Sequence, residues 1–174
     1  MTGGRTGSFA PKLVAAVAAA TAALTLASPV PAVAHERDGA GEQRRHVARR
    51  ARSQIDAPYR YGGSSPGGFD CSGFTTWVFD DHGAELPRSS MDQYELGARD
   101  GYRRVRLRKN LKKGDLVFHK TTSATVGHVG IYLGDGDFIS ATSSQGVQVR
   151  SLYDPYYWGE RWVGGVRLPT TRAR

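Results

Sequence analysis

The chain has 174 residues, with 24 Lys or Arg against 16 Asp or Glu, so its formal net charge at pH 7 is +8. A basic surface of this kind favours polyanions, which include nucleic acids, anionic lipids and acidic cell-wall polymers. The sequence disfavours nucleic acid, because it has neither zinc-ligand spacing nor the aromatic pattern of an RNA-recognition motif. A single Cys and scattered His residues also lack metal-ligand spacing, so we expect no metal and no cofactor.

The first 34 residues are typical of a secretory signal peptide. Arg5 and Lys12 precede an apolar run from Leu13 to Leu26, and the sequence Ala-Val-Ala ends at Ala34. The run is shorter than the about 20 apolar residues that a membrane span needs. Cleavage after Ala34 predicts a secreted protein of 140 residues with a net charge of +6 and no integral membrane segment. We expect a monomer whose basic surface can bind anionic cell-wall polymers.

The mature sequence begins with polar and helical segments. Residues 35–43 are polar, which predicts a disordered lead before a single domain over 44–174. Apolar spacing predicts three helices, which are about Gln43 to Ile55, about Cys71 to His82, and a short helix after Ser90 that forms a capping box with Gln93. Between the first two helices, 57–69 is rich in Gly and Pro and is predicted to be a loop.

Beyond Gly101 the hydrophobic period changes from helical to alternating. Six strands are predicted, at 105–107, 115–119, 127–133, 138–142, 147–152 and 162–168. Helices followed by a run of short strands indicate an α+β domain with helices packed on an antiparallel sheet.

Cys71 is the candidate nucleophile. As the one Cys of a secreted domain it cannot form an internal disulfide, so it is either a buried, inert side chain or a reactive thiol. The sequence places it in the first turn of a helix, with Asp70 as the N-cap and Phe69 and Phe74 as a hydrophobic staple. The helix dipole there favours the thiolate, whereas the Asp70 carboxylate opposes it, so a base is also needed.

His128 is the best-placed base among the five histidines, because it lies among small residues in a predicted strand. An ordinary half-buried strand histidine is the alternative. A hairpin of strands 127–133 and 137–142 places His128 on one face together with Ser140 and Thr142, because the apolar residues of both strands then share the opposite face. These apolar residues are Val129, Ile131, Leu133, Ile139 and Ala141. Either hydroxyl can therefore reach the imidazole and orient it.

Five motifs together resemble the NlpC-type cell-wall cysteine peptidases. In chain order they are Pro58-Tyr-Arg-Tyr-Gly-Gly, Phe69-Asp-Cys-Ser-Gly-Phe, Leu86-Pro-Arg-Ser-Ser, Gly114-Asp-Leu-Val-Phe and His128-Val-Gly-Ile-Tyr. The resemblance runs from about Val47 to Leu168. It implies a papain-like fold and hydrolysis of peptidoglycan stem peptides, commonly between D-γ-glutamate and a diamino acid.

The resemblance also implies roles for individual residues. Cys71 matches the nucleophile, His128 the base, and Tyr59 a tyrosine that helps to stabilise the oxyanion. The positions that contact the free amine of the stem peptide are Asp70, Ser72 and Ser90. Asp70 and Ser90 can equally serve as N-caps, and Tyr59 as a core ring.

The third catalytic position departs from the family pattern. It is usually His, but here it is Ser140, a weaker orienting group, and Thr142 or Gln145 can take the role instead. Three functions follow: a secreted stem-peptide endopeptidase, an amidase or transpeptidase on the same fold, and a weakly active or inactive wall-binding domain.

Overall fold

A computed structural model describes residues 1–4, 7 and 32–169, and gives the backbone alone for 32–38. It divides the chain into two compact units, Met1–Val30 and Pro31–Arg174, and the second is described below. The apolar run of the predicted signal peptide lies outside the described residues. None of the helices in the described ranges combines the length and apolarity that crossing a membrane requires.

Helix α1 spans Ala32–Arg52 and begins well before the predicted start. It includes the segment 35–43, for which the composition predicts disorder. Glu42 explains part of the difference, because it pairs with Arg45 at 2.8 Å and with Arg49 at 3.0 Å on the helix surface. Such contacts are side-chain geometry that a polar composition does not reveal.

Helix α2 spans Cys71–Asp80 and begins as predicted. The Asp70 carboxylate caps it by accepting a hydrogen bond from the Gly73 N–H at 2.7 Å. The Phe69 and Phe74 rings meet edge to face at 5.5 Å, which confirms the staple. The cap and the staple together fix the direction in which the preceding loop presents Cys71.

Helix α3 spans Ser90–Glu95, and the capping box predicted for Ser90 and Gln93 is wrong. Ser89 is the N-cap instead, and its hydroxyl accepts from the Asp92 N–H at 3.1 Å. Gln93 is fully buried and donates to the Pro87 carbonyl at 2.8 Å. Its amide joins the core, so it cannot also serve the helix end.

Among the described residues, eight strands form two antiparallel sheets. Two short strands, β1 (Ser64–Ser65) and β2 (Gly68–Phe69), pair in the loop before α2. The main sheet has the order β3-β8-β4-β5-β6-β7. Its strands are β3 (Arg103–Val105), β4 (Leu116–His119), β5 (His128–Gly134), β6 (Asp137–Thr142), β7 (Gly146–Ser151) and β8 (Trp162–Arg167). The α+β class is confirmed. β3 is displaced most, since it starts two residues earlier than predicted, whereas each of the other five strands lies within one residue of its predicted bounds.

The two faces of the main sheet have different partners. β5 and β6 pair with Ile131 opposite Ile139, and the apolar residues of both strands share one face as predicted. This register places Ile131 and Ile139 in the larger core with α1 and α2. His119 pairs with His128 on adjacent strands, and both rings contact Trp158. We call His119, His128, Phe138, Trp158 and Trp162 the aromatic cluster.

Candidate active site

Cys71 lies at the start of α2, beside the first residues of β5. Cys71 is partly exposed, and the backbone N–H of Val129 donates toward its sulfur, which lowers the pKa of the thiol. The Tyr59 ring packs against the larger core, as Cys71 does. Burial is the main cause that raises the pKa of the Tyr59 hydroxyl, and Cys71 and Asp70 raise it further. The structure thus brings together Tyr59 from the loop, Asp70 from the helix cap and Cys71 from the helix.

The thiol of Cys71 is less acidic than its helix position suggests. Burial raises its pKa above the ordinary value, and the Asp70 carboxylate adds to the rise. The N–H groups of Val129, Ser72 and Cys71 act in the opposite direction without reversing the shift. The expected lowering of the thiol pKa is therefore wrong for the free protein, because burial outweighs the helix N-terminus, and Cys71 is a neutral thiol near pH 7.

Asp70, Ser72 and Arg88 form a polar cluster next to Cys71. Arg88 donates to Asp70 Oδ1 at 3.0 Å and to Ser72 Oγ at 2.9 Å, and it also binds Asp70 Oδ2. Burial raises the pKa of Asp70, but the bonds from Arg88 and Gly73 outweigh it and lower the pKa. The carboxylate is therefore charged at neutral pH and held in one orientation.

Ser90 is partly buried in the first turn of α3. In the described part of the chain no hydrogen bond links its side chain to Asp70 or Ser72. Of the three residues predicted to contact the amine, Ser72 donates to Asp70 at 3.3 Å. Arg88, from the motif that begins at Leu86, binds both of them and was not among the predicted site residues.

His128 opens β5 and is buried, with 7% of its surface exposed. Its ring packs against Trp158 at 5.0 Å and against His119 at 6.4 Å between centroids. Burial, assisted by the nearby Arg150 guanidinium, lowers its pKa to about 3. Within the described ranges no hydrogen bond connects the ring to Cys71 Sγ. The resting site thus holds a neutral imidazole and a neutral thiol on adjoining elements.

The candidates for the third catalytic group differ in their partners. Thr142 Oγ1 accepts from Arg150 at 2.7 Å, and Gln145 Oε1 accepts from Arg150 at 3.0 Å. Ser140 Oγ and His128 Nε2 are both buried, and neither has a hydrogen-bond partner in the part of the chain that the structure describes. Ser140 is therefore the candidate that is not already engaged by Arg150.

Two residues of this site escaped the sequence reasoning. Trp158 covers His128, and the exposed aromatic sequence around it gave no indication of that contact. Arg150 sits on β7, opposite Phe138, and reaches Thr142 along the sheet. Its role depends on strand pairing over the whole hairpin, which single-residue patterns do not specify.

A group of possible metal ligands lies at the other end of α2. The ligand atoms of His46, Asp81 and His82 are within 4.8 Å of one another. Arg50 already pairs with Asp81 at 3.2 Å, which disfavours a cation there. We assign no metal to this group.

Comparisons of sequence and structure show which known proteins the chain resembles. The model of the NlpC/P60 family matches residues 56–167. The chain is 44% identical over 105 residues to an Escherichia coli protein named murein DD-endopeptidase MepS/murein LD-carboxypeptidase, covering 60% of this chain and 52% of that protein. It is 33% identical over 131 residues to the gamma-DL-glutamyl hydrolase of Bacillus subtilis, covering 73% and 30%.

A solved structure supports the same assignment. The peptidoglycan hydrolase RipB of Mycobacterium tuberculosis superposes with a TM-score of 0.62 at 31% identity, covering 78% of this chain and 69% of that one. The chain spans about half the length, or less, of the curated relatives described above. On the family match and the shared fold, the chain belongs to the NlpC/P60 family.

Proposed function

We propose that this protein is a cysteine peptidase that hydrolyses peptidoglycan stem peptides at the bond between D-γ-glutamate and a diamino acid. The observation that carries the proposal is the position of Cys71 at the start of α2, directly after the capping Asp70 carboxylate and close enough to Tyr59 to raise the pKa of its hydroxyl. The names of the relatives support peptidoglycan as the substrate. The gamma-DL-glutamyl hydrolase supports the choice of bond, whereas the DD-endopeptidase name indicates another bond.

The reaction begins with two neutral groups. His128 accepts the thiol proton as the Cys71 sulfur attacks the carbonyl carbon of the scissile bond. This step requires the ring to turn from Trp158 toward the sulfur, with Ser140 as its orienting partner. The Tyr59 hydroxyl and the Cys71 N–H donate to the oxyanion. His128 then gives its proton to the leaving amine, and water hydrolyses the thioester.

We assign the free amine of the stem peptide to Asp70 and Ser72, with Ser90 as a third contact that the family resemblance implies. The ammonium group needs an anionic acceptor, and Asp70 is the carboxylate closest in the chain to the nucleophile. Because Arg88 fixes both oxygens of Asp70, the carboxylate does not have to be ordered when the substrate binds.

The site of action follows from the N-terminal sequence. We propose that residues 1–34 are removed as a signal peptide and that the monomeric mature protein acts in the cell wall. Its basic surface would retain it on anionic wall polymers. N-terminal sequencing of exported protein tests this, with His35 as the expected first residue and an intact Leu13 to Leu26 as the contrary result.

Mass spectrometry of muropeptides tests the proposed reaction. After incubation with the protein, new fragments should carry a free γ-carboxyl on D-glutamate and a free amine on the diamino acid. Cys71→Ala should retain the fold and release neither fragment. Release of whole stem peptides from the glycan would identify an amidase, and new cross-links would identify a transpeptidase, because a Cys and His pair serves any acyl group.

A further inference from the structure

Arg150 carries a positive charge into the neighbourhood of His128. Its Nη1 and Nη2 donate to Gln145 and Thr142, which are neutral, and its Nε–H is buried without a partner in the described residues. Its Cζ lies 5.8 Å from the centre of the Trp158 ring, the same ring that covers His128. None of the ion pairs in the described part of the chain includes Arg150.

A partly buried cation without an anion is unfavourable in two ways. Burial lowers the pKa of Arg150, and its charge also lowers the pKa of His128. The second effect opposes catalysis, since the base must become positive when it takes the thiol proton. An anionic group on the bound substrate would relieve both effects at the step where His128 needs its charge.

We propose that Arg150 binds a carboxylate of the substrate on the leaving side of the scissile bond. This inference rests on the proposed function. His128 protonates the leaving amine, so it must lie beside that amine. Because Arg150 is close to His128, it lies on the side of the site that binds the leaving residue. The guanidinium offers unused N–H donors in the planar arrangement that matches a carboxylate.

The proposal predicts a preference between two kinds of stem peptide. Diaminopimelate has a carboxylate at the end of its side chain, whereas lysine has none and is otherwise similar. Arg150 would therefore favour a diaminopimelate leaving residue over lysine. The carboxylate would bind close to Thr142 and Gln145, which already hold the guanidinium in place.

The test compares two tetrapeptides, L-alanyl-γ-D-glutamyl-meso-diaminopimelyl-D-alanine amide and its L-lysine counterpart. Both peptides end in an amide, so neither has a C-terminal carboxylate. The two peptides therefore differ in acidic groups by the side-chain carboxylate of diaminopimelate. The native protein should show a kcat/KM at least about tenfold higher for the diaminopimelate peptide. In Arg150→Gln the two kcat/KM values should differ by no more than about twofold, because the diaminopimelate peptide alone is cleaved less efficiently. Arg150→Lys should keep part of the preference for the diaminopimelate peptide.

Arg104→Gln is the matched control, because Arg104 lies on β3 at the opposite edge of the main sheet and stacks on Tyr94. It should leave the ratio unchanged. Equal losses for both peptides in Arg150→Gln, or no preference in the native protein, would overturn the proposal. If neither peptide is cleaved, the proposed function fails, and calorimetric binding of both peptides to Cys71→Ala and to Cys71→Ala with Arg150→Gln still decides the role of Arg150.

Discussion

Lowering the pH from 7 to 5 is expected to destabilise the protein through His119 and His128. Burial lowers the pKa of each from 6.5 to about 3. The folded state then binds fewer protons than the unfolded state between these values, so stability is full above pH 6.5 and falls as the pH drops toward 3. From pH 7 to pH 5 each histidine should cost about 2 kcal/mol, and the pair about 4 kcal/mol.

His119→Phe separates the two contributions. His119 is fully buried, stacks on Phe138 at 4.9 Å, and has both ring nitrogens buried without partners in the described residues. A phenyl ring fits the same stack and does not titrate. The variant should therefore be at least as stable as the native protein at pH 7, because an unpaired buried polar group costs about 1 to 3 kcal/mol.

Urea unfolding at pH 7 and pH 5 measures the effect. The native protein should lose about 4 kcal/mol of unfolding free energy over this interval, and His119→Phe about 2 kcal/mol. His82, whose pKa burial also lowers, contributes in the same direction in both proteins. Carboxylates titrate mainly below this interval. Equal losses in the two proteins, or no loss in either, would refute the assignment of buried neutral histidines.

Three further substitutions test separate parts of the account. Ser140→Ala should lower kcat by about ten- to a hundredfold with little change in KM. Full activity in Ser140→Ala together with a large loss of activity in Thr142→Ala would show that Thr142 orients His128 instead. Gly146→Ala should lower the free energy of unfolding by at least about 2 kcal/mol, because φ is +66° and the new Cβ would lie 2.2 Å from the Ala57 carbonyl oxygen; an unchanged thermal midpoint would contradict this. Arg88→Gln should raise KM for stem peptides more than it lowers kcat, since it releases Asp70, and steady-state kinetics with the reverse pattern would place Arg88 in the chemical step.

The local pattern of the sequence predicts much of this fold. Alternation of apolar residues gives five of the six main-sheet strands to within one residue at each end. The shared apolar face of β5 and β6 follows from matching the apolar residues of the two strands. The Asp70 cap is predicted because its hydrogen bond spans three residues. Contacts of this range depend on neighbours in the chain, so the sequence contains them directly.

Features that depend on tertiary surroundings were not predictable in the same way. Burial raises the pKa of Cys71 and outweighs the nearby backbone N–H groups of Val129, Ser72 and Cys71. The N-cap of α3 is Ser89 and not the predicted Ser90, and Gln93 is buried in the core, where it binds the Pro87 carbonyl. Arg150 reaches the site through strand pairing and side-chain length. In each case the deciding interaction joins residues whose proximity is set by the completed fold.

Hydrolysis of a γ-D-glutamyl stem peptide by Cys71→Ala and His128→Ala tests the central claim most directly. If Cys71 is the nucleophile and His128 its base, each substitution should lower kcat/KM by at least about a thousandfold, and the double variant should lose little more than either single variant. Urea unfolding at pH 7 should show that Cys71→Ala is still folded. Retention of native activity by Cys71→Ala, or by His128→Ala, would contradict the assignment of the catalytic pair.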